Sequence, residues 1–432
     1  MPDRSRARLS LAPIDALLER VGRPERRLRP IHVAGSKGKG STALLCEALL
    51  RGAGLRVGTF TSPHLRRWTE RFRIEGREVH GGALADAVER LRPHVEDLRR
   101  EDPARAPSFF DATTAAAFVL FAEAGLDATV VEVGLGGRLD STNVVAPAVA
   151  CVTSIELEHV EVLGATLAAI AGEKAGILKP GLPAVLGALP AEARDVVRAR
   201  ARALGCPLAE LGRDFDAVLC AEEPLAQRVR LEDGPLRVEA HLPAPGSPTR
   251  QNAALAFACV RRSGLVADDR LASTAAASLE AARLPGRLER VGDAPLRLVD
   301  SAHTPDSARA LAQVIDALPR RRSHLVLSVS AGKDVEAICA ALAPRADAVT
   351  LTRADAHRSL DPARLAAALR ALAPALASRV VPNPHLALRA ARETAAPDDL
   401  LVAAGSVYLA GIAREVWSEC APAPVAVTRG RA

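Results

Sequence analysis

One stretch of this sequence leaves little freedom. The β-branched run Ile31–Ala34 enters Gly35-Ser36-Lys37-Gly38-Lys39-Gly40-Ser41-Thr42, and a helical pattern, Thr42–Arg51, follows. Strand, glycine loop, helix is the arrangement that cradles phosphate. Glycines let backbone N–H groups approach the oxygens, and the helix N-terminus adds its positive end. Lys39 would reach the β/γ-phosphates, and Ser41 or Thr42 would meet phosphate or its magnesium ion. The fit to G-x-x-x-x-G-K-[ST] is imperfect: Val33 falls at the first glycine and Gly40 at the hydroxyl position. A glycine-rich turn at a helix start is the competing reading. In the helix, Leu44, Leu45, Ala48 and Leu49 make one apolar face, and Gly52 and Gly54 stop it.

Short β-branched runs alternate with longer Ala/Leu/Arg stretches along the whole chain, which implies parallel sheets covered by helices. In the first part the runs are Ile31–Ala34, Val57–Thr61, Thr129–Val133, Val149–Ile155 and Ala184–Gly187, with helices at Asp111–Ala124 and Ala191–Leu204. The pattern restarts with Leu296–Asp300, His324–Ser328, Ala348–Thr352, Arg379–Val381 and Leu400–Ala404, separated by helices such as Asp306–Leu318 and Pro362–Leu372. Residues 205–245 show no order that their sequence resolves. With 432 residues, two cores are expected. The turn chemistry of Leu284-Pro285-Gly286-Arg287 sets the boundary. The expected fold class is α/β: a P-loop-type, mostly parallel sheet domain over residues 1–284, and a smaller Rossmann-like α/β domain over 285–432.

Composition narrows the partners. The longest apolar stretch, Ala112–Ala122, is about half of the ~20 residues that span a bilayer, and the basic start MPDRSRARLS leads into no apolar signal core. A cytoplasmic monomer with no membrane partner is expected. Seven scattered cysteines without a C-x-x-C suggest small buried thiols in a reducing compartment. The net charge of +6 admits nucleic acid as a partner, but the basic residues are spread out and aromatics make up only 3%. A solvated surface is the plainer reading, a site for small polyanions the next.

In open α/β sheets, ligands bind beyond the carboxyl ends of the strands. Ser62 and His64 follow the second run, Glu132 closes the third ahead of Gly134-Leu135-Gly136-Gly137-Arg138, and Glu158 and His159 follow the fourth. Hard oxygen donors converging there would suit magnesium bridging ATP phosphates. A buried, unpaired glutamate is costly, which marks Glu132, and the glycines after it indicate a close backbone or ligand approach. Lone histidines such as His94 and His241 read as surface or core residues. Read alone, Lys174 in Gly172-Glu173-Lys174-Ala175-Gly176-Ile177 is a helix-surface lysine paired with Glu173 or solvent.

Taken in order, four strings resemble the folylpolyglutamate synthase/dihydrofolate synthase family, relatives of the Mur ligases. They are His32–Thr42, Thr61-Ser62-Pro63-His64-Leu65, Glu132–Asn143 and Gly172–Ile177; the likeness runs from about residue 14 to 412. The resemblance implies an ATP-dependent ligase joining L-glutamate to a pterin acid or reduced folate. It implies that Gly38, Lys39, Gly40 and Ser41 bind ATP phosphates, that Ser62 and Glu132 hold one Mg2+ ion and His159 a second, and that Lys174 is carbamylated. Asn252, Arg287 and Asp300 would contact ATP, with His303 part of the Asp300 motif and on the substrate side. The pterin would lie near Phe110-Asp111 and Leu139-Asp140-Ser141. Lys39, Lys174 and His159 would carry the chemistry.

Some positions depart from the commoner family pattern: Lys37 for asparagine, Asp111 for glutamate, Glu158 for aspartate, and Ser301 and Thr304 for glycine and asparagine. The expected reaction is phosphorylation of a carboxylate to an acyl phosphate, then attack by the glutamate amine. Three rivals are a Mur-type ligase acting on a non-folate acid, a non-catalytic nucleotide-binding relative, and a nucleic-acid-binding ATPase. The Glu132–Asn143 string argues against the first, and retention of Lys39, Ser62, Glu132, His159 and Lys174 against the second. The third lacks aromatic platforms.

Overall fold

A computed structural model of the chain describes residues 10–418; the basic segment 1–9 and Cys420 lie outside them. Strands β1 (Pro30–Ala34), β2 (Val57–Phe60), β3 (Phe72–Ile74), β4 (Arg77–Glu78), β5 (Ala128–Glu132), β6 (Val149–Val152), β7 (Ala184–Leu186) and β8 (Leu208–Glu210) form one sheet in the order β4-β3-β2-β5-β1-β6-β7-β8. From β2 to β8 neighbouring strands run parallel, and β3 and β4 add an antiparallel hairpin at one edge. The register sets Val33 beside Glu132 and Ala34 beside Val152. The carboxyl ends of β5, β1 and β6 are therefore level, which delivers three loops to one place.

The helix after β1 spans Lys39–Gly52 and starts three residues earlier than the apolar period suggests. Gly38, at φ +82° in the left-handed region, lets the chain turn directly into it. Leu45 and Leu49 are fully buried, and Leu44 and Ala48 pack at the margin of the same core. Each fully buried leucine contributes about 1.5–3 kcal/mol. Helices Ser247–Arg262 and Asp268–Glu280 complete that core on one side of the sheet. Helices Ala12–Arg20, Gly81–Glu101 and Phe109–Ala124 build a second core, with Phe60, Phe72, Phe118 and Phe121 inside it.

Residues 205–245 prove regular. After β8 comes an antiparallel meander of β9 (Phe215–Glu223), β10 (Ala226–Asp233) and β11 (Leu236–Leu242). Val229, Leu231, Val238, Ala240 and Leu242 point into the helical core, while charged residues alternate outward. The period of two is present in the sequence, cleanest over Leu236–Leu242, where apolar and polar residues alternate. The seven cysteines are not uniformly buried either: Cys46, Cys151, Cys259 and Cys339 are, Cys206 is half-buried, and Cys220 is exposed on β9.

A third sheet uses β12 (Glu289–Asp293), β13 (Leu296–Val299), β14 (Ser323–Leu327), β15 (Ala348–Leu351), β16 (Ala377–Val380) and β17 (Leu400–Ala404), in the order β12-β13-β17-β14-β15-β16. All but β12 run parallel. The expected run Val149–Ile155 leaves the sheet after Val152, because its last residues turn to hold the phosphate loop. The run expected at Arg379–Val381 lies at Ala377–Val380.

Trp417 closes the second face of this sheet; it is fully buried and its indole N–H donates to Leu388 O at 3.0 Å. Trp417→Ala should destabilise the fold by ~3–5 kcal/mol, measured as a lower urea midpoint by circular dichroism.

Candidate active site

The loop Gly35–Gly38 is held from outside. Ser36 N–H donates to Ser154 O at 2.8 Å, Lys37 N–H donates to Ser154 Oγ at 2.8 Å, and Thr153 Oγ1 donates to Lys37 O at 2.5 Å. A Cβ at Gly35 would collide with the Thr153 hydroxyl, and one at Gly38 with the Asn252 amide. The predicted ATP contact Asn252 is thus brought onto the loop, and Thr42 Oγ1 donates to its Oδ1 at 3.3 Å. Lys39 Nζ donates to Gly35 O at 2.7 Å and Ser36 O at 3.2 Å, which fixes the ammonium over the loop. Ser41 is buried in the first turn of the helix.

Glu132 ends β5 at 4% exposure. Its Oε2 accepts the Ser62 N–H at 2.8 Å, and a Cβ at Gly40 would lie 3.4 Å from the same carboxylate. Ser62, Glu132 and the phosphate loop therefore share one wall. Burial raises the Glu132 pKa; Lys39, the Ser62 N–H, Arg287 and Arg71 pull against it without reversing it.

Lys174 is not a surface lysine. It is 1% exposed, and its Nζ donates to Glu158 Oε1 at 2.9 Å. Glu173 points elsewhere, to Arg138 at 2.7 Å. Helix Leu167–Lys174 is clamped by backbone approach: Arg138 N–H donates to Glu173 O at 2.7 Å, and a Cβ at Gly137 would lie 2.7 Å from that oxygen. Gly176 packs as closely against Arg138. Burial and the nearby Lys39 lower the Lys174 pKa, although Glu158 favours the ammonium.

The expected pterin residues form a tight hydrogen-bonded layer. Asp111 Oδ2 accepts from Ser108 N at 2.8 Å, and Ser141 Oγ donates to Asp111 Oδ1 at 2.6 Å. Asp140 Oδ1 accepts from Thr142 N and Oγ1, and its Oδ2 from Leu135 N at 2.8 Å. Both Asp140 oxygens are therefore spent on shaping the loop. Phe110 covers Gly134, and Leu139 is half-buried. His159 is exposed, at φ +47°, and no hydrogen bond or ion pair joins it to Glu132 or Lys174 among the described residues.

From the third sheet, Asp300 follows β13. Its Oδ2 accepts from Leu288 N at 2.6 Å and its Oδ1 from Ala302 N at 2.7 Å. Leu288 adopts φ +47° to present that N–H. Burial raises the Asp300 pKa, and Arg287 opposes the rise. Arg287 is exposed, and its positive charge acts on Glu132, Asp300 and His303 together. Sequence reasoning missed Thr153 and Ser154, which pin the loop, and Lys333, whose charge reaches His303. All three follow strand carboxyl ends, so the rule that found Ser62 was the available signal. It also missed His32, fully buried under the site; burial, with Lys179, lowers its pKa to about 3.

Among the described residues, no group of three or more His, Cys, Asp or Glu side chains is gathered for a metal ion. The donors fit magnesium nonetheless. Glu132 and Ser62 offer hard oxygens beside the phosphate loop, and Mg2+ ordinarily takes one or two protein ligands plus phosphates and water. No described helix is long and apolar enough to cross a membrane.

A glycine-rich loop at a helix start on one parallel sheet faces a second parallel sheet through Arg287 and Asp300, the arrangement expected of an ATP-dependent amide-forming ligase. Residues 286–407 match the family described as Mur ligase, glutamate ligase domain. The chain is 38% identical over 376 residues to the dihydrofolate synthase/folylpolyglutamate synthase of Mycobacterium tuberculosis, covering 83% of this chain and 77% of that one. Crystal structures of M. tuberculosis folylpolyglutamate synthase complexed with ADP and AMPPCP superpose with a TM-score of 0.83 at 33% identity, covering 95% and 96% of the two chains. A probable bifunctional folylpolyglutamate synthase/dihydropteroate synthase of Haloferax volcanii is 34% identical over 413 residues; the chain spans 94% of itself but about half, 48%, of that relative. The chain belongs to the dihydrofolate synthase/folylpolyglutamate synthase family, ATP-dependent glutamate ligases.

Because the raised pKa of Glu132 makes its ionised form costly in the folded state, Glu132→Gln should raise the thermal midpoint. The gain should be small at pH 4, where the carboxyl is largely protonated in both states, and larger at pH 8. Ligase activity should be lost at both. Melting curves and an ADP-release assay read the two effects.

Proposed function

We propose that this chain uses ATP to phosphorylate the carboxylate of a pterin acid or reduced folate and passes the acyl group to the amine of L-glutamate. The observation that carries this is the wall shared by the phosphate loop, Glu132 and Ser62, with Lys39 over the loop. The nucleotide complexes of the M. tuberculosis relative support ATP as the donor, and the name of its curated counterpart supports the acceptors.

The roles follow from position. Gly38, Gly40 and Ser41 offer the backbone and hydroxyl of a helix start to the phosphates, and Lys39 neutralises the transferring group. Asn252 and Arg287 border the nucleotide. Asp300 holds the 286–288 turn through the Leu288 N–H, so that Arg287 faces the phosphates when the two units close and exclude water. Residues 1–284 make the ATP-binding unit and 285–432 the glutamate-ligase unit. Ser62 and Glu132 would hold one magnesium ion and His159 a second. When bound, these ions would offset phosphate charge. Phe110, Asp111, Leu139, Asp140 and Ser141 shape the pterin side, where Asp140 acts by fixing its own loop.

Lys174 is proposed to carry a carbamate. Its burial and the proximity of Lys39 disfavour the ammonium, the direction that carbamate formation on the amine needs. Mass spectrometry of peptides from protein kept in bicarbonate should find carbon dioxide added at Lys174. Lys174→Ala should lose activity that bicarbonate does not restore. An unmodified Lys174 in fully active protein would end that assignment.

The test of the reaction is product analysis by mass spectrometry. Protein is incubated with ATP, magnesium, bicarbonate and glutamate, with 7,8-dihydropteroate in one tube and tetrahydrofolate in the other. Addition of glutamate to the first acid only defines a dihydrofolate synthase, to the second only a folylpolyglutamate synthase, and to both a bifunctional enzyme. Addition to neither, by folded ATP-binding protein, would overturn the folate reading in favour of another Mur-type acid.

A further inference from the structure

At the end of the third sheet opposite Asp300, the amino ends of the strands open onto a cleft of about 390 Å³. That volume is ordinary for a small-molecule site. The cleft lies where β14 and β15 begin, against Ala377-Ser378-Arg379 of β16 and the end of helix Pro384–Glu393. We propose that it binds the phosphate monoester of a small organic molecule through Arg322, Arg379 and His324, at a site separate from the phosphate loop.

Three side chains on one face of the sheet set the geometry. Thr350 pairs with Val326 on one side and with Arg379 on the other. His324 stands two residues before Val326, so His324, Thr350 and Arg379 share a face. Thr350 is fully buried. Its Oγ1 accepts the Arg379 Nε–H at 3.0 Å and lies 2.8 Å from His324 Nε2. The hydroxyl proton has no other acceptor among the described residues, so it goes to Nε2 and the ring proton sits on Nδ1. The Nδ1–H and the terminal nitrogens of Arg379 are then donors with no partner among the described residues.

Arg322 adds a second cation. It is exposed, and neither it nor Arg379 meets a carboxylate among the described residues. The two acidic side chains lining the cleft have partners of their own: Arg321 takes both oxygens of Asp399 at 3.1 Å, and Asp347 Oδ2 accepts the Ser323 N–H at 2.7 Å. Two guanidinium groups, an imidazole N–H and the hydroxyls of Ser378 and Thr394 are more donors than the two oxygens of a carboxylate use well. A phosphate monoester brings three strong acceptor oxygens and nearly two negative charges. Arginine forks match such oxygens in pairs. Ala348, Ala377 and Ala395 give the cleft an apolar side for the organic body. Burial, with Arg379 and Arg322, lowers the His324 pKa to about 4, against the pull of Asp399. A bound phosphate would offset the two cations that help to keep the ring neutral.

The experiment follows the His324 ring by NMR in whole protein carrying heavy-carbon-labelled histidine, its signal being the one absent from His324→Gln. Phenyl phosphate is the probe, with benzoate and inorganic phosphate beside it. The expected result is a saturable shift of that signal by phenyl phosphate, at lower concentration than by either of the others. Arg322→Gln and Arg379→Gln should each weaken binding ~10–100-fold, the range for a lost hydrogen bond to a charged group. Both side chains are exposed, so circular dichroism should not change. Calorimetry on the wild type and the two arginine variants gives the same affinities without any substitution at His324. A His324 signal unmoved by all three probes would overturn the proposal. So would undiminished binding in the doubly substituted protein, which would put the anion elsewhere. Benzoate binding tightest of the three would overturn it as well, by making the cleft a carboxylate site.

Discussion

The site depends on a carboxylate buried at the end of a central parallel strand. Burial makes ionisation of Glu132 unfavourable, and the groups around it offset part of that cost. The Ser62 N–H, Lys39 on the phosphate loop and Arg287 from the connection between the units all act on it. Each comes from a different segment. The carboxylate therefore fixes where the second strand's loop, the phosphate loop and the second unit must stand relative to β5. The level carboxyl ends of β5, β1 and β6 make this possible, since one register sets all three.

Around that centre, backbones approach where side chains would keep them apart. Gly38 admits Asn252, Gly134 admits Phe110, and Gly137 and Gly176 let the Arg138 segment lie against the end of the Lys174 helix. The last of these closes Lys174 off from water and leaves it beside Glu158. The second unit is tied in differently, through the main chain: Asp300 accepts from Leu288 and Ala302, and Gly411 lies so close to Leu65 that a Cβ there would meet its carbonyl at 2.7 Å. Arg66 pairs with Glu415 across the same seam. The Arg287 charge thus reaches both sheets from a turn that is itself fixed on one of them.

Much of this was legible from residue patterns. The alternation of short β-branched runs with helical stretches located both parallel sheets, because strands buried on two faces read as continuous apolar runs. The strand-end rule found Ser62, Glu132 and Glu158. The environment of Lys174 was illegible from its own segment: the residues that bury it, Gly137 and Arg138, are more than thirty positions away, and the pairing with Glu158 is a tertiary fact. Asp140 was legible as polar but not as structural, since its partners Leu135 and Thr142 show only once the loop is folded. The β9–β11 meander was legible in principle, since apolar and polar residues alternate over Leu236–Leu242. The departure Lys37 gains meaning only when the second unit brings His303 near it.

In the proposed reaction this wall of charges transfers the terminal phosphoryl group of ATP to a carboxylate. Tracing heavy oxygen distinguishes that transfer from any other route to the amide. Dihydropteroate or tetrahydrofolate, whichever acid is consumed, is labelled with heavy oxygen in its reacting carboxylate and supplied with ATP and glutamate. Phosphate carrying one labelled oxygen for each amide formed is the predicted result. Label in AMP, or unlabelled phosphate alongside amide product, would contradict the acyl phosphate and the reading of the site built on it.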